Sequence, residues 1–479
     1  MSSYQVKNKH LLWRAAFGPM VENVNQLRDI KPSRLWKQLV KDSSKDPKYI
    51  DVANDTVDGL VKGVQNLVQI DKLTADQKRE AQKQARKKST EDIKNLNLFW
   101  LSEMVNSKAQ LREKMSLFWH GHFACRVINI YFQQQLLDVI RRNALGNFGN
   151  LLREVSKTPA MLSFLNNQQN KKQHPNENFA REVMELFTMG RGNYTEEDVR
   201  ESARAYTGWG FNVQGEFVER KNLHDNGEKT FLGKRGNFDG DDILDIILEQ
   251  KATAKFITRK IYTFLVNDQV DDDRLNKLAE GFYQSNYNIL QLLENIFTSD
   301  WFFEPQNMGI RIKSPVELIA GIQRMIPVQF EQPQMQLLFE RTLGQVLFYP
   351  PNVAGWPGGK SWIDSSTMVL RMRLPQIMTQ NDSFTIKAKL DDDVMMGHEG
   401  INKAQTYKIL TNINWDTIVN AFNNVRKEDL YSFISDYLLQ TRSRVPSSVV
   451  DRFANISTRP AYIRSVIINI MSTPEYQLA

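Results

Sequence analysis

Apolar residues recur at helical spacing along most of the chain. In the stretch LREKMSLFWHGHF, residues Leu111, Met115, Phe118 and His122 stand at positions i, i+4, i+7 and i+11, which is one face of a helix. The stretch DDILDIILEQKATAKFITRKIYTFL, residues 241–265, follows the same period. This pattern predicts a mostly α fold, built as a large multi-helix body.

Strand-like alternation is confined to one part of the sequence. It lies between Trp209 and Phe238, where glycine-rich stretches such as GWGFNVQGEFVER alternate polar and apolar residues. Glycines between short alternating runs indicate tight turns, so we expect one or two short hairpins there. The predicted fold is therefore a helical body with a small β-hairpin insertion.

Changes in composition divide the chain into five parts. We expect an N-terminal helical segment at 1–69, a charged helix or linker at 70–96, a main helical body with the site at 97–380, a linker at 381–403 and a C-terminal helical segment at 404–479. The block DQKREAQKQARKKSTED contains strong helix formers and almost no apolar residues. It is typical of a solvated helix or mobile linker rather than of a phosphate-binding arm.

Charge and composition narrow the class of protein. The 479 residues are 41% hydrophobic and 24% charged, as in ordinary globular proteins. The net charge of +7 comes from scattered basic residues, so no nucleic-acid partner is indicated. The sequence has no run of about 18 apolar residues and no secretory layout at its N-terminus, which predicts no transmembrane segment and a cytoplasmic protein. Export would require another route or a leader outside this sequence.

The only cysteine, Cys125, limits the redox and metal chemistry of the chain. A single cysteine excludes an intramolecular disulfide and a metal cage of thiolates. Its neighbours in HGHFACRVINIYF are mostly apolar. This setting favours a small buried hydrophobic residue over a catalytic thiol.

The stretch HPNENFAREVMELF is the first candidate for chemistry. We expect a helix that begins near Pro175 or Asn176, because proline in the first turn costs no hydrogen bond. One face carries the apolar residues Phe179, Val183 and Leu186. Another face carries the polar residues Asn178, Arg181, Glu182 and Glu185. The alternative is an ordinary surface helix on which Arg181 pairs with Glu185.

Histidines mark two further candidates. His120 and His122 form an H-x-H pair in FWHGHF, a spacing found in zinc and iron sites. The alternative is a pair of histidines hydrogen-bonded within an aromatic core. His224 and Asp225 stand on an Asn-Gly turn in NLHDNGEKTFLG, either as a metal-ligand pair, as base and orienting acid, or as a turn without a site. With His174, four of the six histidines fall in these motifs, and this concentration favours a site.

Two other stretches are structural by default. In NYTEEDVRESARAYTGWG, Thr195 is placed as an N-cap, Asp198 at the capping-box position and Gly208 at the C-terminal stop of a helix. The stretch LFYPPNVAGWPGGKSWI is a rigid Pro/Gly loop that carries Trp356 and Trp362. Such a loop either lines a pocket and stacks on a sugar ring or packs on the body.

Seven motifs in fixed order resemble the bacterial domain-of-unknown-function family eighteen hundred. They include HLLWRAAFG, REKMSLFWHGHF, HDNGEKTFLG, RIKSPVEL and LGQVLFYPPNVAGWPGGKSW. The resemblance implies a mostly helical protein of unestablished role, an export signal in many members, and a neighbouring gene for a partner protein with a sulfatase-like fold. This chain departs by lacking an evident signal. It also has Asn166 in FLNN, where the resemblance implies Asp-Asn, and so lacks one candidate carboxylate ligand.

Three functions are compatible with these motifs. The first is a metal-dependent hydrolase that uses a divalent ion (Zn, Fe or Mn) and no nucleotide cofactor. Its predicted metal ligands are His120, His122, His224 and Asp225, with Glu182 as the alternative to Asp225. Its predicted catalytic residues are Glu182, Glu185 (the general base) and Arg181. Its predicted substrate-binding residues are Asn178, Lys229, Trp209 and Trp356. The second is metal-free acid–base chemistry on a glycan, with Asp225 or Asp198 opposite the two glutamates. The third is a non-enzymatic binding or assembly protein whose polar cluster is a buried hydrogen-bonded network.

The accessibility of the HPNENFAREVMELF helix decides between these alternatives. Burying two carboxylates beside one arginine is costly unless every lone pair has a partner. We therefore predict that the helix is central, with its polar face towards the histidine motifs. An exposed polar face would favour the surface-helix alternative.

Overall fold

The computed structural model describes residues 3–23, 26–53, 74–386 and 405–479. Within these ranges the chain is mostly helical with a few short antiparallel strand pairs, so the predicted fold class is confirmed. No helix in the described part of the chain is long and apolar enough to cross a membrane.

The helices before the first hairpin include α5, which lines the candidate site, and α9, which leads into a π-helix that contacts α5. In chain order they are α1 (Ser3–Ala15), α2 (Gln26–Asp29), α3 (Pro32–Ser43), α4 (Ala75–Asn106), α5 (Gln110–His122), α6 (Ile130–Asn143), α7 (Phe148–Ser156), α8 (Pro159–Phe164), α9 (Glu177–Glu182) and α10 (Glu196–Ala205). Helix α9 continues directly into a π-helix at Val183–Thr188.

The helices after the hairpins complete the body. They are α11 (Gly240–Leu248), α12 (Lys251–Leu265), α13 (Asp272–Gln284), α14 (Ile289–Phe297), α15 (Pro315–Met325), α16 (Met335–Leu343), α17 (Ser365–Thr379), α18 (Trp415–Ala421), α19 (Leu430–Leu438), α20 (Ser447–Phe453) and α21 (Arg459–Met471). Short 3-10 helices occur at Val21–Asn23, Asn167–Gln169, Asp300–Phe303, Pro305–Asn307, Gly359–Trp362, Lys427–Asp429 and Pro474–Gln477.

The described strands form antiparallel pairs. They are β1 (Trp209–Phe211), β2 (Phe217–Glu219), β3 (Lys229–Phe231), β4 (Lys234–Gly236), β5 (Val328–Phe330), β6 (Ser383–Ile386), β7 (Gln405–Lys408) and β8 (Thr411–Ile413). The pairs β1–β2 and β3–β4 confirm the hairpins predicted between Trp209 and Phe238. The pairs β5–β8 and β6–β7 were not evident from the sequence, because they join strands that are far apart in the chain or very short.

Helix α5 is the centre of the body and has no solvent-exposed face. All its residues except Gly121 are buried, whereas the sequence pattern indicated one buried face. Its charged residues are buried because each has a charged partner. Glu113, for example, accepts hydrogen bonds from Arg141 at 2.9 and 3.0 Å and from Trp100 at 3.0 Å. Because its charged residues are paired, α5 can be buried on all sides, although its sequence pattern is that of an amphipathic helix.

The charged stretch before α5 is a helix from Ala75 onwards. Thr74 caps α4, and Gln77 completes a capping box. The first turns are largely exposed, while Leu96 and Trp100 near the other end are fully buried. The stretch is thus helical from residue 75, its role as a charged helix or linker stays a prediction, and residues 70–73 lie outside the described part of the chain.

Buried residues from the predicted N-terminal, charged, main and C-terminal segments pack in one hydrophobic cluster. It includes Leu11 of α1, Met115 of α5 and Val466 of α21. The predicted linker at 381–403 begins as strand β6, and its residues from 387 onwards lie outside the described ranges. Nothing in these contacts separates one domain from another, so the predicted boundaries stay a prediction.

Local capping signals position the helices around the candidate site. Thr195 and Asp198 form the predicted capping box of α10, which is confirmed. Asn176 is the N-cap of α9, so the predicted helix start near Pro175 or Asn176 is also confirmed. After α10, Gly208 has φ +83°, and a Cβ atom there would lie 2.7 Å from the carbonyl oxygen of Arg220. Only glycine fits this return of the chain into the hairpins.

Candidate functional site

The His-Gly-His motif ends helix α5 and supports the Pro/Gly loop, which we call the tryptophan loop (residues 348–362). His120 Nε2 accepts a hydrogen bond from the Phe348 backbone N–H at 3.1 Å. Its ring packs against Trp100 and Trp356, with centroids 5.1 and 5.6 Å away. Burial lowers the pKa of His120 to about 3, so the ring is neutral and remains an acceptor.

The loop approaches α5 closely enough to require glycine. Gly355 has φ +81°, and a Cβ atom there would lie 2.3 Å from the Gly121 carbonyl oxygen. At the start of the loop, Phe348 is a buried aromatic residue at φ +68°. A bulky residue in this backbone region costs conformational energy and persists only where the surroundings fix it. The FWHGHF motif and the tryptophan loop thus meet at the contact between Gly121 and Gly355.

A buried carboxyl group fixes the entry to the loop. Glu340 Oε2 accepts hydrogen bonds from Asn97 Nδ2 at 2.6 Å and from the Leu347 N–H at 3.1 Å. Glu340 is fully buried, and its Oε1 has no partner among the described residues. Burial raises the pKa of Glu340 to about 8, although the two hydrogen bonds oppose this shift. The carboxyl group is therefore mostly protonated at neutral pH.

A cavity of about 280 Å³, the inner cavity, lies between the tryptophan loop, α5 and α12. Its aromatic and ionisable lining residues are Phe118, His122, Lys260, Phe264, Asp268, Arg311, Trp356 and Trp362. Both tryptophans of the loop thus share a cavity with His122. This is the place where motifs distant in the sequence converge.

Lys260 is the basic residue of this cavity that has no ion pair within the described part of the chain. It lies on α12 between Phe256 and Phe264 at i, i+4 spacing, and its Nζ is 5.4 Å from the Phe256 ring centre. Burial lowers the pKa of Lys260 to about 8. Among the described residues, no carboxylate contributes to that pKa. Such an ammonium group is only partly solvated and has room for an anionic partner.

His122 contributes an unused acceptor. Its Nε2 lies 3.1 Å from the Phe187 carbonyl oxygen, which places the proton on Nε2 and leaves a lone pair on Nδ1. Nδ1 is buried and has no partner among the described residues. Burial, reinforced by the positive charge of Lys260, holds the pKa of His122 well below its usual range, although the Phe187 bond opposes the shift. The imidazole is therefore a neutral acceptor.

Arg311 connects the inner cavity to a buried cationic cluster. Its Nη1 and Nη2 donate to the two carboxylate oxygens of Glu317 at 2.9 and 2.8 Å. Glu317 also pairs with Lys114 of α5. Burial raises the pKa of Glu317, but the charges of Arg311 and Lys114 outweigh burial and hold it below its usual range. Glu317 is the N3 residue of the capping box that begins α15, so helix capping and charge pairing use the same carboxylate.

A second cavity, the outer cavity, lies on the other side of the tryptophan loop. Its volume is about 690 Å³. It shares Ala354, Trp356, Pro357 and Trp362 with the inner cavity. Its own lining includes Arg126, Arg341 and Tyr349, and the Arg126 guanidinium lies 5.5 Å from the Tyr349 ring centre. The loop therefore separates two adjoining cavities.

The HPNENFAREVMELF segment forms α9 and the π-helix and contacts the site through the backbone and the ring of Phe187. Phe179 and Val183 are buried as predicted, and Leu186 is partly buried against the core. The Phe187 carbonyl oxygen lies 3.1 Å from His122 Nε2, and the two rings have their centroids 6.1 Å apart. The polar face does not point at the histidines. π-Helical turns present carbonyl groups differently from α-helical ones, a feature that residue spacing alone does not reveal.

The polar face of α9 pairs with its own surroundings. Arg181 binds Glu177 at 3.0 Å and Glu196 at 2.8 Å, with 33% of its side chain exposed. Glu185 binds Arg191 at 2.6 Å. The anticipated Arg181–Glu185 pair is therefore replaced by other partners. The polar face lies at the boundary with solvent and not at the predicted central position. Arg181 and its two carboxylate partners remain partly hydrated there, so they avoid the cost of burying charges.

Glu182 is the exception on this face. It is half-buried and has no hydrogen bond to another described residue. Burial and the neighbouring charge of Glu185 raise its pKa, while Arg181 and Arg191 oppose the shift. Water reaches this carboxylate. Its predicted catalytic role, like that of Arg181 and Glu185, stays a prediction.

His224 and Asp225 belong to a separate hydrogen-bonded network with Arg204 of α10 and Thr207. The Nδ1 atom of His224 lies 2.9 Å from the Thr207 carbonyl oxygen. Asp225 accepts a hydrogen bond from Arg204 Nε at 2.8 Å, and this bond lowers its pKa. Lys229 donates to the carbonyl oxygens of Asp225 and Gly227 at 2.6 and 3.0 Å. The turn is held by these bonds, and its residues are apart from the contacts made by His120 and His122.

The other predicted substrate-binding residues occupy different environments. Trp209 is in the core, with its ring against Tyr206 and Phe217. Asn178 is exposed, and its side chain donates to the Leu165 carbonyl oxygen at 3.1 Å. Trp356 alone of this group lines the two cavities.

The predicted metal ligands are not brought to one point. Among the described residues, no group of three or more His, Cys, Asp or Glu side chains is arranged to hold an ion. His120 and His122 are on helical backbone, where a spacing of two residues directs their side chains apart. The metal prediction therefore finds no support in this geometry and stays untested.

Two smaller expectations also have a structural outcome. Cys125 is buried, and burial raises the pKa of its thiol far above the usual range, which agrees with a structural cysteine. Asn166 has φ +58°, a left-handed conformation that Asn and Asp adopt more readily than most residues. The left-handed backbone at this position therefore explains why Asn or Asp occurs there, and no role as a metal ligand is needed for that explanation.

Sequence reasoning missed Lys260, Asp268 and Arg311. A signal existed for Lys260, because it interrupts a stripe of aromatic residues on a helix. Arg311 stands in RIKSPVEL, a motif that contributed only to the family resemblance. Their convergence with the tryptophan loop is tertiary and has no signature in local spacing.

Comparison with known families gives a match over almost the whole chain. Residues 10–478 match the family described as "Protein of unknown function (DUF1800)". The chain belongs to this family, which confirms the resemblance of its motifs. No curated protein and no solved structure matches the chain.

Proposed function

We propose that this member of the family binds a small anionic saccharide in the inner cavity. The observation that carries the proposal is the position of Lys260, an ammonium group without an ion pair among the described residues, in the same lining as Trp356 and Trp362. A cation attracts an acidic group of the ligand. The tryptophan rings supply apolar faces on which a sugar ring can stack.

The charge balance of the lining favours an anion over a cation. Its charged residues are Lys260, Arg311 and Asp268. Arg311 already shares Glu317 with Lys114, so Glu317 does not neutralise Lys260. The ring of His122 belongs to the same lining and stacks on Phe118. A cation and aromatic walls together suit a sugar acid.

Calorimetric titration with D-glucuronate and D-glucose tests the proposal, because the two sugars differ at the acidic group. We expect tighter binding of glucuronate, and a loss of about tenfold or more in its affinity in Lys260→Met. Lys251→Met is the matched control, since Lys251 is an exposed residue of the same helix paired with Glu280. Equal binding of the two sugars, no binding of either, or an unchanged affinity in Lys260→Met would refute the proposal.

A second candidate is an elimination reaction on a uronate unit. It is favoured by the pKa of Lys260, about 8, which suits a general base near neutral pH. In this reaction the Lys260 amine removes the C5 proton, the C4–O bond breaks as a C4=C5 double bond forms, and the Lys260 ammonium so produced returns the proton to the leaving oxygen.

The pH dependence separates binding from elimination. Binding through the Lys260 ammonium weakens as the pH rises through about 8, because the cation is lost. Elimination by the neutral amine instead becomes faster over the same range. The ultraviolet absorbance of the unsaturated uronate measures the reaction. If no absorbance develops at any pH with a uronate polymer, the elimination candidate is excluded and binding remains.

Metal-dependent hydrolysis stays a separate proposal. What favours it here is that an imidazole and a carboxylate, those of His122 and Asp268, belong to the lining of one cavity. Metal analysis of protein purified without chelator, followed by titration with Zn²⁺, Fe²⁺ or Mn²⁺, tests it. The absence of both a stoichiometric ion and any binding on titration would end it.

The partner protein implied by the resemblance is also a proposal. Co-purification of this chain with the product of a neighbouring gene that has a sulfatase-like fold tests it. A sulfated or carboxylated saccharide would suit both proteins. Failure to co-purify at physiological salt would remove the partner and leave the proposed ligand unaffected.

A further inference from the structure

The tryptophan loop is accessible from two sides. Trp356 and Trp362 line the inner cavity of about 280 Å³ and the outer cavity of about 690 Å³. Trp356 is only partly buried although His120 supports one side of its ring. Ala354 and Pro357, which also belong to both linings, are exposed. The two cavities therefore adjoin along the loop.

Basic residues occur on both sides of the tryptophans. The inner cavity has Lys260 and Arg311, and the outer cavity has Arg126 and Arg341. Each lining also contains one aspartate. Asp364, in the outer cavity, is the N-cap of α17 and accepts hydrogen bonds from the N–H groups of Ser366 and Thr367 at 2.8 Å. Both cavities therefore have more basic than acidic residues.

We infer that the ligand is an anionic polysaccharide whose chain passes the tryptophan loop, with sugar units in both cavities. This inference rests on the proposed function, because the inner cavity must first accept an acidic sugar. A repeating acid group explains why basic residues recur beyond Trp356. The greater size of the outer cavity accommodates more of the chain than the inner cavity does.

A polysaccharide fits these surfaces better than a nucleic acid. Single-stranded nucleic acid carries a phosphate on every nucleotide and is bound along a basic groove with strong dependence on salt. The two linings contain four basic residues beside two aspartates, and prolines and glycines form much of the loop between them. These few basic residues do not form a continuous basic groove, and the tryptophans between them offer faces on which sugar rings can stack.

Affinity as a function of chain length tests the inference. Galacturonic acid and its dimer, tetramer and hexamer are titrated into the full chain, and a single-stranded oligonucleotide of equal charge is the competing class. We expect affinity to rise by about tenfold or more between monomer and tetramer. In Arg126→Met the ratio of tetramer to monomer affinity should fall. Arg341→Met is the second variant, in case Arg126→Met fails to fold, and exposed Arg235→Met is the matched control.

The outcomes separate this inference from the proposed function. If the monomer binds but affinity does not rise with length, or the ratio is unchanged in both cavity variants, the polymer inference is overturned and the proposed function stands. If no saccharide of any length binds, both fail. If the oligonucleotide binds more tightly than the hexamer, the ligand class is overturned.

Discussion

The tryptophan-loop site and the network around α9 and α10 are both rich in charged and polar residues, yet they differ in how those residues are satisfied. In the network, Arg181 has Glu177 and Glu196, and Arg204 has Glu201 and Asp225. At the loop, by contrast, Lys260 has no ion pair, and the Nδ1 atom of His122 has no partner, among the described residues.

This difference distinguishes a polar cluster that stabilises the fold from one that has capacity for a ligand. Buried polar groups in folded proteins are nearly always hydrogen-bonded, so each exception needs an explanation. In the network the charges are balanced by the protein itself, except that of Glu182. At the loop Lys260 and His122 both belong to the lining of one cavity, and a ligand bound by Lys260 is the explanation that we propose.

The largest expected effect concerns the backbone contact that positions the loop. Gly355→Ala should lower the free energy of unfolding by about 3–4 kcal/mol, because the new Cβ meets the Gly121 carbonyl oxygen in addition to the left-handed φ penalty. Gly192→Ala, near the network, is the control. Gly192 has φ +84°, but no neighbouring atom lies within 4 Å of the position that a Cβ would take, so about 1 kcal/mol is expected. Urea denaturation measures both, and equal losses would contradict the close approach.

The second effect is a pH dependence that belongs to the loop region. The pKa of Glu340 is raised from 4.5 to about 8, so its contribution to stability is complete below pH 4.5 and is lost as the pH rises through 8. Glu340→Gln imitates the protonated form and keeps an acceptor. It should stabilise the protein by about 2–3 kcal/mol at pH 9 and change little at pH 4.5. A constant difference across this range would show that Glu340 titrates normally.

The third effect has opposite signs in the two regions. Lys260→Met should stabilise the protein by about 1 kcal/mol below pH 8, because a desolvated ammonium without an ion pair is removed. Since the folded-state pKa is lowered, that gain should shrink as the pH rises from 8 to 10.5. Arg204→Met should instead destabilise by about 1–2 kcal/mol, because two carboxylates lose their partner. If both variants changed the free energy of unfolding in the same direction, the proposed difference between the loop site and the network would be contradicted.

The smallest effect is expected at the outer edge of the network. Arg181→Met should cost less than about 1 kcal/mol, because its ion pairs are partly exposed to solvent. Added salt should reduce even this cost, since screening weakens exposed pairs. A loss of several kcal/mol that is independent of salt would indicate the buried, central position that the sequence pattern suggested.

Local features of the fold could be predicted because they depend on neighbouring residues. The start of α9 at Asn176, the capping box of Thr195 and the hairpins after Trp209 all follow from short-range rules. The burial of α5 on all sides could not, since it depends on partners such as Arg141 that are distant in the sequence.

The candidate site was only partly predictable for the same reason. His122 and Trp356 were identified from their motifs, and both line the inner cavity. Spacing could not show that His122 would meet a backbone carbonyl of the π-helix or that Arg181 would choose Glu196 over Glu185. Nor could it place Lys260 opposite the loop, because that arrangement arises only when α12 packs beside α5.

The reactivity of the Lys260 amine tests the central claim most directly. The intact protein is labelled with a trace of acetic anhydride across a pH series, and mass spectrometry compares Lys260 with exposed Lys221 in the same sample. We expect a labelling midpoint for Lys260 near pH 8 and protection by glucuronate below that pH, with no protection of Lys221. A midpoint near 10.5, or labelling that glucuronate leaves unchanged, would show that Lys260, which has no ion pair among the described residues, does not bind an anionic ligand.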